Sequence, residues 1–220
     1  MHKTIQNLNN IKDSIKSKLL DIKKVDYFPN IIAVSKTFSL DHIMPLIESG
    51  HTDFGENKVQ EASNKWSEIK LKNNILKLHL IGKLQTNKVK IAVKLFDFIH
   101  SLDSEKLAIK ISEEQIKQNI KPKIFIQINL GNEDQKSGIQ KNNLLEFYKY
   151  CIRLNLDIVG TMCLPPINED SSKYFSEMLS YNNKLNLKEL SMGMSSDYLK
   201  AIEYNATYLR IGSEIFGPRN

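Results

Sequence analysis

The sequence predicts an α/β protein built as a single (β/α)8 barrel, a TIM barrel, preceded by one extra helix. Three observations favour this fold. Eight short apolar segments alternate along the chain with polar stretches of helical periodicity. No glycine-rich loop follows the first of these segments. The chain has 220 residues, and a barrel of this kind needs at least about 200.

The extra helix covers residues 1–24. Apolar side chains recur there at steps of three and four, which places them on one face of a helix. They are Ile5, Leu8, Ile11, Ile15, Leu19 and Ile22. We expect this face to pack on the barrel.

The first predicted strand is Ile31–Val34, a continuous apolar run typical of a strand that is buried on both sides. Strands that alternate with helices pair in parallel through crossover units. The other predicted strands are 52–55, 78–82, 96–99, 124–128, 158–162, 190–194 and 208–211, and helical periodicity occurs at 56–71, 103–119, 140–153, 170–185 and 196–205.

An open, doubly wound sheet is the competing architecture. Such a sheet usually carries a glycine-rich phosphate loop after its first strand. Here Ser35-Lys36-Thr37 follows that strand, and none of these residues is a glycine. Since no linker, repeat or low-complexity tract interrupts the chain, we expect residues 1–220 to form one domain.

Composition excludes several classes of protein. The two cysteines, Cys151 and Cys163, do not form a Cys-x-x-Cys pair, which argues against a disulfide scaffold and a cysteine zinc site. The five histidines lack metal-ligand spacing, so we expect no metal. No signal peptide is recognisable, and no apolar run approaches the ~18 residues that span a membrane. We therefore expect a soluble cytoplasmic protein.

The net charge of +6 raises the question of nucleic-acid binding. Only three of the 31 basic residues are arginines, the preferred readers of guanine and phosphate. The lysines are scattered among acidic residues and form no stripe with aromatic residues. Solvated helix faces explain the charge better, and we expect no nucleic-acid partner.

Lys36 is the first candidate functional residue, because the carboxyl ends of the strands form the active face of such barrels. A lysine at the barrel mouth can be desolvated, and its neutral amine is then a nucleophile toward a carbonyl. The alternative is a solvated lysine at a strand end.

The ends of the last two predicted strands indicate a phosphate site. Ser195 follows the seventh strand, and Gly212 and Ser213 follow the eighth. Small residues at a helix N-terminus offer backbone N–H groups to an anion, and barrels recurrently bind phosphate in these two loops. The alternative for Ser195 or Ser196 is simple N-capping of the following helix.

Arg210 interrupts the last apolar run, and its alternation with Leu209 and Ile211 points it into the barrel. One interpretation is that this position requires a planar, permanently charged guanidinium as a hydrogen-bond donor. The other is that Arg210 forms a buried ion pair with a carboxylate such as Asp53 or Glu56.

The remaining candidates are weaker. His79 is predicted to be a core residue with satisfied hydrogen bonds, and Trp66 to serve packing. Asn57 either reaches a cofactor hydroxyl or caps the next helix. Lys136 is expected in a loop that overhangs the mouth.

A lysine after strand one, an arginine in strand eight and a phosphate cradle after strands seven and eight together describe a pyridoxal 5′-phosphate pocket. The lysine would hold the aldehyde, the arginine the pyridine nitrogen and the loops the phosphate. Five motifs in order also resemble the pyridoxal phosphate homeostasis protein family. They are residues 33–37 (AVSKT), 54–61 (FGENKVQE), 79–82 with 84–88 (HLIG, LQTNK), 191–197 (SMGMSSD) and 210–217 (RIGSEIFG).

The resemblance implies a barrel like the N-terminal domain of alanine racemase, with the cofactor on Lys36 as a Schiff base. It implies a role in the homeostasis of pyridoxal phosphate, vitamin B6 and amino and keto acid pools, without established catalytic turnover. Apoenzymes that receive the cofactor are candidate partners, and we expect a monomer. The sequence departs from the family at Phe38, where many relatives have a second lysine, at Thr161, and at Arg219–Asn220, where some relatives continue into a basic tail.

The alternative function is a pyridoxal-phosphate-dependent amino-acid racemase with weak activity from Lys36 alone. Two-base racemisation needs a second acid or base on the other face of the cofactor, which alanine racemase takes from an additional domain. Eight strands leave no residues in this chain for such a domain.

Overall fold

Parallel strands form the framework of the molecule, and each barrel strand is followed by a helix. The computed structural model describes residues 1–131, 137–166 and 168–218. The strands are β1 (Asn30–Val34), β2 (Asp53–Glu56), β3 (Lys77–Leu80), β4 (Phe98–Leu102), β5 (Lys123–Asn129), β6 (Ile139–Gln140), β7 (Asp157–Cys163), β8 (Glu189–Met194) and β9 (Tyr208–Ile211). The helices are α1 (Lys3–Asp21), α2 (Leu40–Glu48), α3 (Val59–Lys72), α4 (Val89–Leu95), α5 (Glu105–Gln118), α6 (Leu144–Arg153), α7 (Ser171–Lys184), α8 (Tyr198–Glu203) and α9 (Ser213–Phe216).

Strand pairing closes the sheet into a barrel. The order around the ring is β1-β2-β3-β4-β5-β7-β8-β9, with β9 pairing back onto β1 and every pairing parallel. The two-residue strand β6 pairs with β5 outside this ring. The predicted (β/α)8 barrel is confirmed.

Period-two alternation separates two apolar layers. Ile32, Phe98, Phe125, Met162 and Tyr208 form one buried cluster inside the barrel. The alternate strand residues belong to a larger cluster shared with the surrounding helices. Both faces of the strands are buried, which explains why they appear in the sequence as short continuous apolar runs.

Helix α1 precedes the barrel and packs against α2, α8 and α9. Its buried residues Leu8, Ile11, Ile15 and Leu19 lie on one face, as their spacing predicts. The His2 side chain accepts a hydrogen bond from the Thr4 backbone N–H and caps the helix start. The predicted helix at 1–24 is confirmed over Lys3–Asp21.

The predicted fourth strand is displaced along the chain. We predicted 96–99, whereas β4 covers Phe98–Leu102. Phe96 is the C-cap of α4. The strand continues through His100 and Ser101, which are both buried, because the His100 ring finds hydrogen-bond partners inside the barrel. The other seven predicted strands begin and end within two residues of their predicted positions, whereas the short strand β6 was not predicted and overlaps the start of the helix predicted at 140–153.

Two further findings bear on the predictions. None of the helices in the described ranges is both long and apolar enough to cross a lipid bilayer. Lys136, Arg219 and Asn220, which the sequence analysis singled out, lie outside the described residues.

Candidate functional site

The carboxyl ends of five neighbouring strands, β8, β9, β1, β2 and β3, bring the predicted site residues to one part of the rim. Arg210 pairs with Met194 of β8, one residue before Ser195. On the other side, β1 lies between β9 and β2, and Val34 pairs with Gly55. The motifs that are distant in sequence therefore meet in space.

Lys36 lies just beyond the end of β1 and is half-buried. It continues the alternation of Ile32 and Val34, whose side chains face the barrel interior around Gly55. The next residue, Thr37, has φ 67°, in the left-handed region that a β-branched residue rarely adopts. Its backbone N–H donates to a Glu61 carboxylate oxygen at 2.8 Å, so α3 holds the turn after Lys36.

The chain before Lys36 is held by a buried carboxylate. Glu56, at the end of β2, is fully buried. Its Oε1 accepts hydrogen bonds from Ser35 Oγ at 2.7 Å, Lys65 Nζ at 3.0 Å and Trp66 Nε1 at 3.0 Å. Lys65 Nζ also donates to the Ser35 carbonyl at 3.0 Å. Trp66 therefore packs, as predicted, and also joins this network, which fixes the strand end that carries Lys36.

Arg210 faces the barrel interior and is 4% exposed, as its alternation predicts. Its Nη1 donates to Ser191 Oγ at 2.6 Å and its Nη2 to the Cys163 carbonyl at 2.8 Å. Burial lowers the pKa of the guanidinium. Within the described part of the chain no carboxylate forms an ion pair with it, since Asp53 pairs with His79 and Glu56 with Lys65. The alternative of a direct ion pair with Asp53 or Glu56 is wrong, and the carboxylate that interacts electrostatically with the guanidinium is Asp197.

His79 has the core position that we predicted. It is fully buried, with Nε2 3.0 Å from Asp53 Oδ1 and Nδ1 3.0 Å from His100 Nε2. Both ring nitrogens are therefore satisfied. No cluster of histidine, cysteine or carboxylate side chains among the described residues has the arrangement of a metal site.

The serines after β8 are not helix caps. Asp197 is the N-cap of α8, and its Oδ1 accepts from the Met194 backbone N–H at 2.7 Å. The hydroxyls of Ser195 and Ser196 hydrogen-bond no described residue. Both line an open cavity of about 670 Å³ between α8 and the loop after β7. The capping alternative is thus wrong, and the two hydroxyls remain available to a ligand.

The loop after β9 presents backbone donors. Gly212 is the N-cap of α9, and the helix begins at the exposed residue Ser213. The first N–H groups of a helix have no acceptor within it. The intrahelical bonds of α9 start at the N–H groups of Ile215 and Phe216, which donate to the Gly212 carbonyl. The N–H groups of Ser213 and Glu214 donate to no backbone carbonyl among the described residues.

Asn57 follows the end of β2 and is half-buried. It does not cap α3, because Lys58 occupies the N-cap position and makes no side-chain capping bond. A Cβ at Gly82 would lie 2.4 Å from the Asn57 carbonyl oxygen, so the absence of a side chain at Gly82 lets the end of β3 approach Asn57 closely. The backbone of Asn57 is held there, while its side chain forms no hydrogen bond to a described residue.

The donor set fits pyridoxal phosphate. Around this part of the rim lie a lysine amine, a buried guanidinium that forms no direct ion pair with a described carboxylate, two serine hydroxyls that hydrogen-bond no described residue, and the first backbone N–H groups of α9. Such groups complement an aldehyde, an unprotonated pyridine nitrogen and a phosphate.

Sequence reasoning missed the residues that support this site, namely Ser191, the Cys163 carbonyl, Glu56 as a hydrogen-bond acceptor, Lys65 and Glu61. One signal was present for Ser191. It lies two residues before Gly193 and shares the inward period of β8, so a polar side chain there requires a partner inside the barrel.

Comparison with known proteins gives a family match over nearly the whole chain. The family model "Alanine racemase, N-terminal domain" matches residues 11–220. A pyridoxal phosphate homeostasis protein from Pasteurella multocida is 35% identical over 98% of this chain and 97% of its own length. A protein of the same name from Aquifex aeolicus is 38% identical over 86% of each chain.

A solved structure agrees with these matches. The structure of PipY from Synechococcus elongatus with pyridoxal phosphate bound superposes with a TM-score of 0.80 at 32% identity. The match covers 92% of this chain and 100% of PipY.

Proposed function

Because this chain belongs to the pyridoxal phosphate homeostasis protein family, we propose that it binds pyridoxal 5′-phosphate and takes part in keeping pyridoxal phosphate and amino and keto acid pools in balance in the cytoplasm. The observation that carries this proposal is the buried Arg210 guanidinium, which forms no direct ion pair with a described carboxylate and lies in the strand next to the one that Lys36 follows.

Each candidate residue has a role in this proposal. Lys36 supplies the amine that condenses with the aldehyde of the cofactor, with loss of one water molecule, and so carries it as a Schiff base. Ser195 and the N–H groups of Gly212 and Ser213 bind the phosphate, Arg210 faces the pyridine nitrogen, and Asn57 lies near the ring hydroxyl.

The choice of arginine supports a binding role over a catalytic one. When it is bound, the cofactor supplies an electron sink whose strength depends on protonation of its ring nitrogen. A carboxylate beside that nitrogen would keep it protonated. A guanidinium can only donate, so the nitrogen must accept and stays unprotonated. Arg210 therefore holds the cofactor in a less reactive state, which suits a protein that keeps it rather than turns over substrate.

The proposal extends to organisation and partners. Residues 1–220 act as one cofactor-binding unit, with α1 packed on the barrel, and the protein works as a monomer. Its partners are the cofactor and apoenzymes that receive it, and nucleic acid and membranes are not among them.

The proposal is tested first by absorption spectroscopy and reduction. Pyridoxal phosphate is added to wild type, Lys36→Ala and Lys83→Ala, whose lysine is exposed just after β3. We expect wild type and Lys83→Ala to develop a yellow Schiff-base band that borohydride fixes on the Lys36 peptide. Lys36→Ala should develop no such band. A colourless wild type would overturn the proposal.

A second experiment separates the binding role from racemisation. The loaded protein is incubated with L-alanine, and the D-isomer is measured. In parallel it is mixed with an apo-aminotransferase, and recovery of aminotransferase activity is followed. We expect recovery of the aminotransferase with D-alanine at background. Steady D-alanine production that Lys36→Ala abolishes would favour the racemase.

A further inference from the structure

Five polar side chains inside the barrel form one continuous chain of hydrogen bonds. Arg210 Nη1 is 2.6 Å from Ser191 Oγ, which is 2.8 Å from His100 Nδ1. His100 Nε2 is 3.0 Å from His79 Nδ1, and His79 Nε2 is 3.0 Å from Asp53 Oδ1. The chain thus runs from the middle of β9, through β8, β4 and β3, to the first residue of β2.

The chemistry of the two ends fixes the direction of every bond. A guanidinium only donates, so Ser191 accepts from Arg210, and a carboxylate only accepts, so His79 donates to Asp53 through Nε2. Neutral His79 then accepts at Nδ1 from His100 Nε2–H. His100 in turn accepts at Nδ1 from the Ser191 hydroxyl. With neutral histidines, only this arrangement satisfies all four bonds, and it makes both rings Nε2–H tautomers.

The surroundings favour neutral histidines held in one orientation. Both rings are fully buried, and burial lowers the pKa of each. His79 stacks on Phe98 with centroids 4.4 Å apart and an interplanar angle of 10°. His100 stacks on Phe125 at 4.2 Å and 16°. Neither ring can turn without losing its stacking partner.

The carboxylate end lies toward the amino-terminal face of the barrel. The Asp53 side chain is 12% exposed, and its second oxygen accepts from Thr52 Oγ1 at 2.6 Å. Burial acts to raise the pKa of Asp53, but the bonds from His79 and Thr52 outweigh it and the pKa is lowered. The Asp53 end of this chain of hydrogen bonds therefore carries a negative charge at neutral pH.

We propose that Asp53, His79, His100 and Ser191 are positioning residues for Arg210. They orient its guanidinium and, through polarised hydrogen bonds, add the negative charge of Asp53 to the electrostatic stabilisation that Asp197 gives the guanidinium. This inference rests on the proposed function for the meaning of Arg210. It explains how a buried cation is stabilised without a direct ion pair to a carboxylate among the described residues. It also explains why polar residues occupy inward positions on five strands.

The first test is nuclear magnetic resonance of the histidine side chains in the protein without cofactor. Long-range ¹H–¹⁵N spectra distinguish the two neutral tautomers from the charged ring. We expect His79 and His100 to be neutral Nε2–H tautomers at pH 7. An Nδ1–H tautomer or a charged ring at either position would overturn the proposal. This measurement needs neither a variant nor bound cofactor.

The second test asks whether charge at Asp53 reaches Arg210. Asp53→Asn keeps an acceptor for His79 and removes the charge. Asp157→Asn, at the first residue of β7 on the same face, is the matched control. We expect only Asp53→Asn to shift the Arg210 side-chain ¹⁵N signals and to weaken pyridoxal phosphate binding about tenfold. Equal ¹⁵N shifts and equal loss of binding in the two variants would refute the proposal that Asp53 acts on Arg210 through this chain of hydrogen bonds.

A third test uses the serine in the middle of the chain. Ser191→Ala removes the bridging hydroxyl, and Ser191→Thr restores one. Ser101→Ala, whose buried hydroxyl has no hydrogen-bond partner among the described residues, is the control. We expect binding to weaken in Ser191→Ala only, with recovery in Ser191→Thr. If wild type binds no cofactor, the proposed function fails. The histidine tautomers measured in the first test still decide whether the chain of hydrogen bonds from Asp53 to Arg210 exists.

Discussion

Phe38 and Phe216 stack with ring centroids 4.9 Å apart and an interplanar angle of 23°. Phe38 lies two residues after Lys36, and Phe216 lies in α9, whose first residues offer backbone N–H groups at the rim. This stack therefore connects the turn that follows the lysine to the helix that would hold the phosphate. The lysine side and the phosphate side of the candidate site are therefore held together by one aromatic contact.

The hydrogen bond between Glu61 and the Thr37 N–H gives the first prediction. Glu61→Ala releases the strained turn after Lys36, because the bond that holds φ at 67° is lost. A hydrogen bond to a charged group contributes about 1.5–3 kcal/mol, and partial exposure of Glu61 reduces this to about 1 kcal/mol. We expect pyridoxal phosphate titrations to give a Kd several-fold weaker than wild type. The exposed Glu68→Ala on the same helix should bind normally, and an unchanged Glu61→Ala would count against the role of this contact.

The buried pair of Glu56 and Lys65 gives the second prediction. Their side chains are 0% and 11% exposed. Removal of Lys65 leaves Glu56 as an uncompensated buried charge, whereas removal of Glu56 leaves Lys65 paired with Glu61 but takes away the acceptor of Ser35 and Trp66. Glu56→Gln or Lys65→Met alone should lower the free energy of unfolding by about 3 kcal/mol. The double variant should lose at least ~1 kcal/mol less than the sum of the two. Urea denaturation measures all four proteins, and strict additivity would show that the pair is not coupled.

The barrel was predictable because both faces of its strands are apolar, and the run at β9 was predicted without error. The prediction for β4 stopped at Ile99, since His100 and Ser101 resemble the start of a loop. The partners of His100 are Ser191 and His79, which are distant in sequence. Only the closed ring brings them together, so local periodicity could not extend the strand.

In the candidate site, too, the features with a local sequence signal were predictable, whereas the contacts between distant residues were not. Lys36 and the loops at Ser195 and Gly212 were recognisable because strand ends in a barrel share one rim. Arg210 was correctly placed inside, but its partner could not be chosen among the carboxylates from sequence. Asp53 is connected to Arg210, yet only through three intervening side chains. Such an indirect connection has no signature in the spacing of residues.

The close approach of β3 to Asn57 gives the third prediction. In Gly82→Ala the new Cβ would lie 2.4 Å and 2.8 Å from the carbonyl oxygen and Cα of Asn57, which are backbone atoms and cannot swing away. We expect a loss of about 1–3 kcal/mol in stability and weaker cofactor binding. Gly50→Ala has φ 90° but no neighbour within 4 Å, and should lose about 1 kcal/mol with normal binding. Normal binding in Gly82→Ala would show that Asn57 tolerates displacement.

Acid should destabilise the protein through its buried histidines. Burial lowers the pKa of His51 to about 4 and also lowers the pKa values of His79 and His100. A histidine in the unfolded chain has a pKa near 6.5, whereas these histidines take up a proton in the folded protein only at lower pH. Their contribution to the free energy of unfolding is therefore complete above pH 6.5 and is lost as the pH falls toward the folded-state pKa. We expect Tm to fall between pH 7 and pH 5. His51→Gln should flatten this dependence, and the exposed His42→Gln should not; equal slopes would refute the assignment.

The stack of Phe38 on Phe216 gives the last prediction. The family resemblance implies a lysine at position 38 in many relatives, so Phe38→Lys restores a common residue and at the same time removes the aromatic pair. Such pairs contribute about 0.5–1.5 kcal/mol beyond their buried area. We expect Phe38→Lys to unfold at a Tm several degrees lower and to bind pyridoxal phosphate less tightly, because the Lys36 turn and α9 lose their connection. Phe38→Leu keeps an apolar contact and should fall between Phe38→Lys and wild type in thermal unfolding and in cofactor titration. If Phe38→Lys instead binds more tightly than wild type, the second amine assists binding directly, and the stack is only a substitute for it.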